Sequence, residues 1–484
     1  KEGINWLLFL RKFQLNGCLC DDMGVGKTLQ TICAILFHFS QCQQDAIIVC
    51  PASVVLHWVK EFEKFAASRL PIHCIPYSGS KSQRGKMWNV FSDNKEPKLK
   101  VWVCSYETCR NDIGRLSMRS YGYAVLDEGH IIKNTKTAVS KAVKQIKARH
   151  KLVLTGTPIQ NDPVELWSLF DFLMPGYLGS EKDFISLSFS TNCSTTSSST
   201  KLSPFSSCSS KFPFSVESYQ HLRRIHHKVL PFILRRTKSQ VIQDLPAKII
   251  QDHYCKLSLL QHLLYQHVEN SNQKESGLVL FNKLAKICVH PHLFLPSFEE
   301  CRTLIGGAWK DSLLPTNQHE YVQVDHSCKL VALKDILATH AHNKILIFAQ
   351  HAVVLDFVQK SLFSDGEFKS VQMKSNMNGK QRHDVVEQFQ SDDSIQCLLL
   401  TTKVGGLGLN LTMANVVILL EHDWNPMNDL QAMDRVHRIG QNQTVHVYRM
   451  LAANTFEERI MSAQQFKVST ANTVIDTSNS SMDQ

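Results

Sequence analysis

Short apolar runs alternate along the chain with stretches in which apolar positions return every three or four residues. AIIVCP (46–51), KVWVCS (100–105), YAVLDE (123–128) and KLVLTG (151–156) read as buried strands, and the stretches between them as crossing helices. KILIFAQ (344–350), IQCLLLTT (395–402), NVVILLEHDW (415–424) and VHVYRML (445–451) form a second set. Two such sets predict an α/β protein with two doubly wound parallel-sheet lobes. Ligand sites then belong at the carboxyl ends of the strands.

The pattern also predicts boundaries. Residues 1–178 form the first lobe and 327–470 the second, followed by a tail at 471–484. Residues 179–216 include STNCSTTSSST and SPFSSCSS, too polar to build a core, and read as a disordered insert open to phosphorylation or partner binding. Residues 217–296 turn helical and basic, as in LRRIHHKVL and FILRRTK, and 297–326 read as a linker. The basic stretches are compatible with duplex contacts or with helices bracing the lobes. No repeat of solenoid period is present.

Several strand ends carry chemistry. GCLCDDMGVGKTLQ (17–30) resembles a phosphate-binding loop, although Asp21 stands where the full G-x-x-x-x-G-K-[ST] pattern has glycine. Asp22, Met23, Gly24 and Gly26 would form the cradle ahead of an amphipathic helix, TLQTICAILFHF. Lys27 would reach the phosphates of ATP, and the Thr28 hydroxyl would hold Mg²⁺. YAVLDEGH (123–130) delivers two adjacent carboxylates. Asp127 suits the same Mg²⁺ and Glu128 suits polarising an attacking water, the alternative being an acidic helix start. KLVLTGTPIQN (151–161) places Thr155 and Thr157 where a γ-phosphate could be sensed, or where an ordinary turn follows a strand.

In the second lobe LLLTTKVGGLGLNL (398–411) runs from a strand into a glycine-rich loop containing Gly405, Gly406 and Gly408. QAMDRVHRIGQ (431–441) follows, and Arg435 and Arg438 would share one face of a helix there. Such a pair can act as arginine fingers on a γ-phosphate. Cys288, His290 and His292 lack a second ligand pair at zinc spacing and read as core and turn residues. Trp58 and Trp424 read as packing residues.

Composition adds few constraints. A formal charge of +10 over 484 residues permits a polyanionic partner without requiring one. Fifteen cysteines, many within apolar runs and none in a C-x-x-C pair, fit reduced thiols. No apolar run reaches the ~18 residues of a membrane span. Lys1 rather than methionine opens the sequence, which suggests a start inside a longer product.

The motif series GKT, DEGH, LTGTPIQN, GGLGLNL and DRVHRIGQ, in that order, resembles the Swi/Snf-type ATPases of the superfamily-two helicase class. ICVHPHLFLP and FILRRTKSQVIQDLP resemble that family's inter-lobe helices. The resemblance covers the chain except about 186–215 and 297–325. It implies two RecA-like lobes with helical insertions between them. It also implies Mg²⁺-dependent ATP hydrolysis coupled to movement along double-stranded DNA, in the nucleus. Lys27, Thr28, Asp127, Glu128, Arg435 and Arg438 carry over, with Gln441 ordering the nucleotide and the glycine loop coupling to DNA. The DNA-facing segments would be CPASVVLHW (50–58), CSYET (104–108) and 401–408.

CDDMG, DEGHIIKN, DLPAKIIQDHYCKLS and EHDWNPMNDLQAMDR further resemble the branch that removes TATA-binding protein from DNA. A nucleosome-remodelling or repair-associated motor, or a silent scaffold, are the alternatives. The chain also departs from the family. An adenine-reading glutamine would lie before Lys1, as would the helical repeats with which that branch grips TATA-binding protein. QMKSNMNGKQRH (372–383) lacks the acidic residue of the family's L-D-G-S segment.

Overall fold

The computed structural model describes residues 1–66, 72–92, 99–156, 163–188, 225, 227–241, 245–271, 277–306, 314–364, 366, 368–377, 379–405 and 411–475. Thr157, Gly406, Gly408 and most of the Ser/Thr-rich insert lie outside them. The chain divides into two units, with boundaries between Gln243 and Asp244 and between Phe466 and Lys467, where it returns to the first unit.

In the first unit seven strands form one sheet. They are β1 (Gly17–Leu19), β2 (Ala46–Cys50), β3 (Ile72–Tyr77), β4 (Leu99–Ser105), β5 (Ser120–Asp127), β6 (Lys147–Leu154) and β7 (Ile233–Leu234). Their order is β3-β4-β2-β5-β6-β1-β7, with every neighbouring pair parallel. Helices cover both faces, so the central strands are continuously apolar rather than alternating. Ile47 and Val49 join one buried layer with Trp102, Leu126 and Phe170. Ile48 and Cys50 join the opposite layer with Ile32, Ile35 and Trp58. Each such aliphatic side chain contributes roughly 1.5–3 kcal/mol when fully buried.

The second unit repeats the scheme with β8 (Lys248–Cys255), β9 (Ile345–Ala349), β10 (Ser370–Met373), β11 (Cys397–Thr401), β12 (Val416–Leu419) and β13 (Val445–Ala452). The order is β10-β11-β9-β12-β13-β8, again all parallel. Helices Leu259–Ser271 and Gly277–Val289 share a further buried layer with Phe456 and Ile460 of helix Phe456–Ile475. Cys18, Cys50, Cys104 and Cys288 are buried free thiols. No helix among the described residues is long and apolar enough to cross a membrane.

The doubly wound α/β architecture agrees with the hydrophobic pattern, and two boundary expectations change. Residues 217–296 are not a uniformly helical insertion, because β7 adds to the first sheet and β8 pairs along its full length with β13 of the second. The segment 179–216 begins with helix Glu181–Ser188, tied down where Thr135 donates to Glu181 at 2.7 Å.

One buried ion pair anchors the second unit. The Lys329 ammonium, fully buried, donates to the Leu420 carbonyl and to Glu457 Oε1, both at 2.7 Å. Glu457 Oε2 accepts from the Ala452 N–H at 2.7 Å. Burial works against the ammonium, but the adjacent carboxylate outweighs it and raises the Lys329 pKa. Glu457→Ala strands that charge and should cost about 3–5 kcal/mol in urea denaturation. The double variant Lys329→Met, Glu457→Leu removes both charges together and should recover most of the loss.

Candidate functional site

The loop after β1 is built as an extension of the sheet. Beyond the β1–β7 pairing, the Cys20 N–H donates to the Leu234 carbonyl at 2.7 Å and the Asp22 N–H to the Arg236 carbonyl at 3.0 Å. The chain then turns through Gly24 (φ 89°) and Gly26 (φ 86°), left-handed conformations that glycine adopts without Cβ strain. Helix Lys27–Phe39 starts at Gly26 with no side-chain cap. Its first-turn N–H groups and positive dipole end therefore face a ligand position without a side-chain acceptor, a ready anion site.

Asp21, the departure from the loop pattern, is fully buried. Its Oδ1 accepts from the Arg236 backbone N–H and from Nε, both at 3.1 Å, and its Oδ2 accepts from Arg236 Nη2. The same Nη2 donates to Gln30 Oε1 at 2.9 Å. The carboxylate fork raises the Arg236 pKa against the pull of burial. Asp22 Oδ2 accepts from the Lys238 N–H at 3.1 Å. Lys27 Nζ lies across the loop, donating to the Asp21 carbonyl at 2.5 Å and the Asp22 carbonyl at 3.1 Å. Thr28 is half-buried in the first turn of the helix.

Strand β5 delivers the two carboxylates to the same end of the sheet, separated from β1 by β6 alone. Asp127 Oδ2 accepts from the Trp58 indole N–H at 2.8 Å, and Oδ1 from the Glu128 N–H at 3.0 Å. The Tyr106 hydroxyl donates to the Asp127 carbonyl at 2.8 Å. Burial, then the Glu128 charge, push the Asp127 pKa up to about 6, with Trp58 and the Lys27 charge opposing. Lys27 and Asp127 are thus within electrostatic reach of each other, as a shared phosphate–metal site requires.

Glu128 sits at φ 53°, ψ 53°, a left-handed conformation for a residue with a Cβ. Strain of this kind costs roughly 1–3 kcal/mol and clusters at active sites. Its Oε2 lies 3.3 Å from His130 Nδ1. Gly129 is required by close packing, since a Cβ there would lie 2.3 Å from Val153 Cγ1. Thr155, buried, donates its N–H to the Leu19 carbonyl at 3.2 Å, and Gly156 lies beside Met23. The residues expected around nucleotide and metal in this unit, apart from Thr157, are therefore gathered at the β1, β5 and β6 ends.

One expectation in the second unit is corrected. Helix Pro426–Met433 ends before Arg435, so Arg435 and Arg438 lie in turns and are not a helical pair. Arg435 is buried and its carbonyl accepts from the Leu411 N–H at 3.3 Å, while Arg438 is half-buried. Gln441, expected to order nucleotide, is buried, with Nε2 donating to the carbonyls of Thr412, Ala414 and Val436 at 3.1, 2.8 and 3.3 Å. Its Oε1 accepts from the Gln443 N–H at 2.9 Å, so its amide pins the turns that carry the arginines. At the ends of β9 and β12, Glu421 accepts from the N–H groups of Gln350 and His351 at 2.8 and 3.1 Å, and from His351 Nδ1 at 3.0 Å. His290 is engaged through both ring nitrogens, by the His292 N–H and the Gln323 carbonyl, each at 3.0 Å.

Arg236 and Trp58, which hold candidate-site carboxylates in place, are the residues that sequence reasoning missed. Arg236 belonged to a basic run with two readings. Trp58 read as packing, and it is buried, but its N–H reaches a carboxylate 69 residues away.

A profile of the SNF2-related domain matches residues 1–293, and one of the helicase conserved C-terminal domain matches 328–440. All of the chain aligns at 40% identity with the TATA-binding protein-associated factors BTAF1 of Arabidopsis thaliana and MOT1 of Saccharomyces cerevisiae, covering 25% and 27% of those proteins. It aligns at 39% identity with TATA-binding protein-associated factor 172 of Homo sapiens, covering 28% of it. The chain thus spans about a quarter of the length of these curated relatives.

The packing of the DEGH turn yields a test. Gly129→Ala should destabilise the first unit by about 1–3 kcal/mol through overpacking. The double variant with Val153→Ala opens space for the added methyl. In denaturant titrations it should lose less than the sum of the two single changes.

Proposed function

The chain belongs to the SNF2-related family, and from that membership we propose that it is an ATPase motor that moves along duplex DNA and displaces a bound protein. One observation carries the nucleotide part: an uncapped helix N-terminus, Lys27 and the Asp127–Glu128 pair stand at the same end of one sheet, one strand apart. That combination of anion cradle, cation and paired carboxylates is what hydrolysis of a metal-bound triphosphate needs.

On this reading the loop N–H groups cradle the phosphates and Lys27 leaves the Asp21 and Asp22 carbonyls to contact the β- and γ-phosphates. Thr28 and Asp127 would hold Mg²⁺, which would supply positive charge to offset that of the phosphates. Glu128, steered by His130, accepts a hydrogen bond from the water that attacks the γ-phosphorus as the bond to the leaving ADP oxygen breaks. Thr155 and Thr157 sense the γ-phosphate. Arg435 and Arg438 supply positive charge to the phosphates during turnover, each finger of this kind being worth roughly 10³–10⁵ in rate. Gln441 acts on them indirectly, by fixing their turns.

The names of the relatives, TATA-binding protein-associated factors, support TATA-binding protein as the displaced protein and a nuclear location. The resemblance to a SWI/SNF-related chromatin regulator of Homo sapiens, subfamily A member 1, is lower at 33% identity, which favours the first target over nucleosomes. DNA contacts through the segments at 50–58, 104–108 and 401–408 would be mainly to phosphates, giving sequence-tolerant binding that weakens with salt.

Steady-state turnover with and without duplex DNA checks this reading. DNA should stimulate hydrolysis. Lys27→Ala should abolish it, and Glu128→Gln should lower kcat by about 10²-fold or more while ATP still binds. Equal rates with and without DNA would remove the translocase. A gel-shift assay on the full-length protein should show ATP-dependent loss of a TATA-binding-protein–DNA complex, and a response of nucleosomes alone would reassign the target.

A further inference from the structure

Asp127, half-buried at the end of β5, has no cationic hydrogen-bond donor among the described residues. Both of its oxygens are hydrogen-bonded, and each donor is a neutral N–H: the Glu128 peptide on Oδ1 and the Trp58 indole on Oδ2. A cationic partner would fix the carboxylate equally well, but it would cancel the charge that a metal ion needs. A neutral donor holds the plane and rotamer of the group and leaves its charge in place. Each oxygen retains acceptor capacity, because a carboxylate offers about four lone-pair sites.

Trp58 is itself held rigidly. It lies in the first turn of helix Val55–Ala66, is 1% exposed, and packs in a layer with Phe62, Val125 and Leu154. Its ring stands 6.4 Å from that of Phe62. The indole N–H has one place to go, and that place is Oδ2. The peptide N–H on Oδ1 comes from the strained Glu128 itself, so it can shift when that residue moves; the donor from Trp58 is anchored in a different element.

We propose that Trp58 is a positioning residue that orients Asp127 for the divalent cation accompanying the nucleotide. The inference rests on the nucleotide-site reading above and adds a residue to it. Partners one step removed from a metal ligand set its orientation, and their loss typically lowers metal affinity by about 10–100-fold. Trp58→Phe keeps the apolar ring and removes the N–H.

The test is binding of a fluorescent ADP analogue, titrated once with excess EDTA and once with Mg²⁺. The wild-type protein should bind more tightly with Mg²⁺. Trp58→Phe should keep the EDTA affinity and lose about 10-fold or more of the Mg²⁺-dependent gain. A merely structural role would weaken both titrations together, and that outcome overturns the proposal, as does a variant that keeps the full gain. A wild-type protein indifferent to Mg²⁺ would overturn the nucleotide-site reading and this inference with it. Should Trp58→Phe fail to fold, the wild-type protein with ¹⁵N-labelled indoles still decides. The Trp58 N–H signal should move when Mg²⁺ is added to the ADP complex, and its standing still overturns the proposal.

Discussion

The phosphate loop depends on a buried ion pair between residues far apart in the chain. Asp21 and Arg236 are separated by 215 positions, yet the guanidinium and one peptide N–H close on both oxygens of the carboxylate. The pair fixes β7 beside β1, and through Gln30 it reaches the helix whose N-terminus forms the anion site. A glycine at position 21 could turn the loop but could not anchor it. The Ser/Thr-rich sequence lies within the long connection that this pair closes. The entropy of closing a loop grows only logarithmically with its length, so such an insertion costs little more than a short one. The buried pair, in contrast, fails as a unit if either partner is lost, because a lone charge would then remain in the core.

The electrostatics at the end of β5 lean the other way. Burial and the neighbouring Glu128 raise Asp127 to about 6, above the ordinary carboxylate range near 4. For an acid the sign is clear. A folded pKa above the unfolded one makes ionisation of Asp127 a cost to stability, absent below the unfolded value and fully present above about 6. At neutral pH the group is ionised nonetheless, so the folded protein holds negative charge that a bound cation would relieve. The left-handed Glu128 adds backbone strain at the same place. Both costs sit where the chemistry would be and are met by the apolar layers on either side of the sheet.

Which parts of the fold were legible follows from where each strand lies. The eight strands visible as apolar runs are interior strands, covered on both faces and paired on both edges, and the ninth interior strand, β1, is only three residues long and was read as part of the phosphate loop. The four that were not visible, β3, β7, β8 and β10, are the edges of the two sheets. β3 contains Pro76, tolerable only where no neighbour needs its N–H. β8 reads KIIQDHYC and is largely exposed, so no burial selects apolar residues along it. The phosphate loop and carboxylate pair were legible because their chemistry requires local sequence. Arg435 and Arg438 were misplaced because spacing alone cannot show that the helix ends at Met433. Gln441 was read as ordering nucleotide, and its bonds to carbonyls up to 29 positions away could not be read from its neighbours. Arg236 and Trp58 were unreadable for the same reason: their partners are set by the fold, not by neighbours in sequence.

The carboxylates at three strand ends divide by the partners the chain gives them. Asp21 faces a guanidinium, and Glu421 faces two peptide N–H groups and His351, whose pKa it raises through their hydrogen bond. Asp21 is paired with a cation from within the protein, Glu421 with donors that include a His351 whose pKa it raises, and both act as anchors for loops. Among the described residues Asp127 accepts from an indole and a peptide N–H, with the Lys27 charge acting from a distance while its ammonium donates to backbone carbonyls. A carboxylate at the same kind of position is thus an anchor in two cases, while in the third no cationic side chain among the described residues donates to it. Of these three strand ends, the end of β5 is therefore the one whose carboxylate is left to meet the cation proposed above.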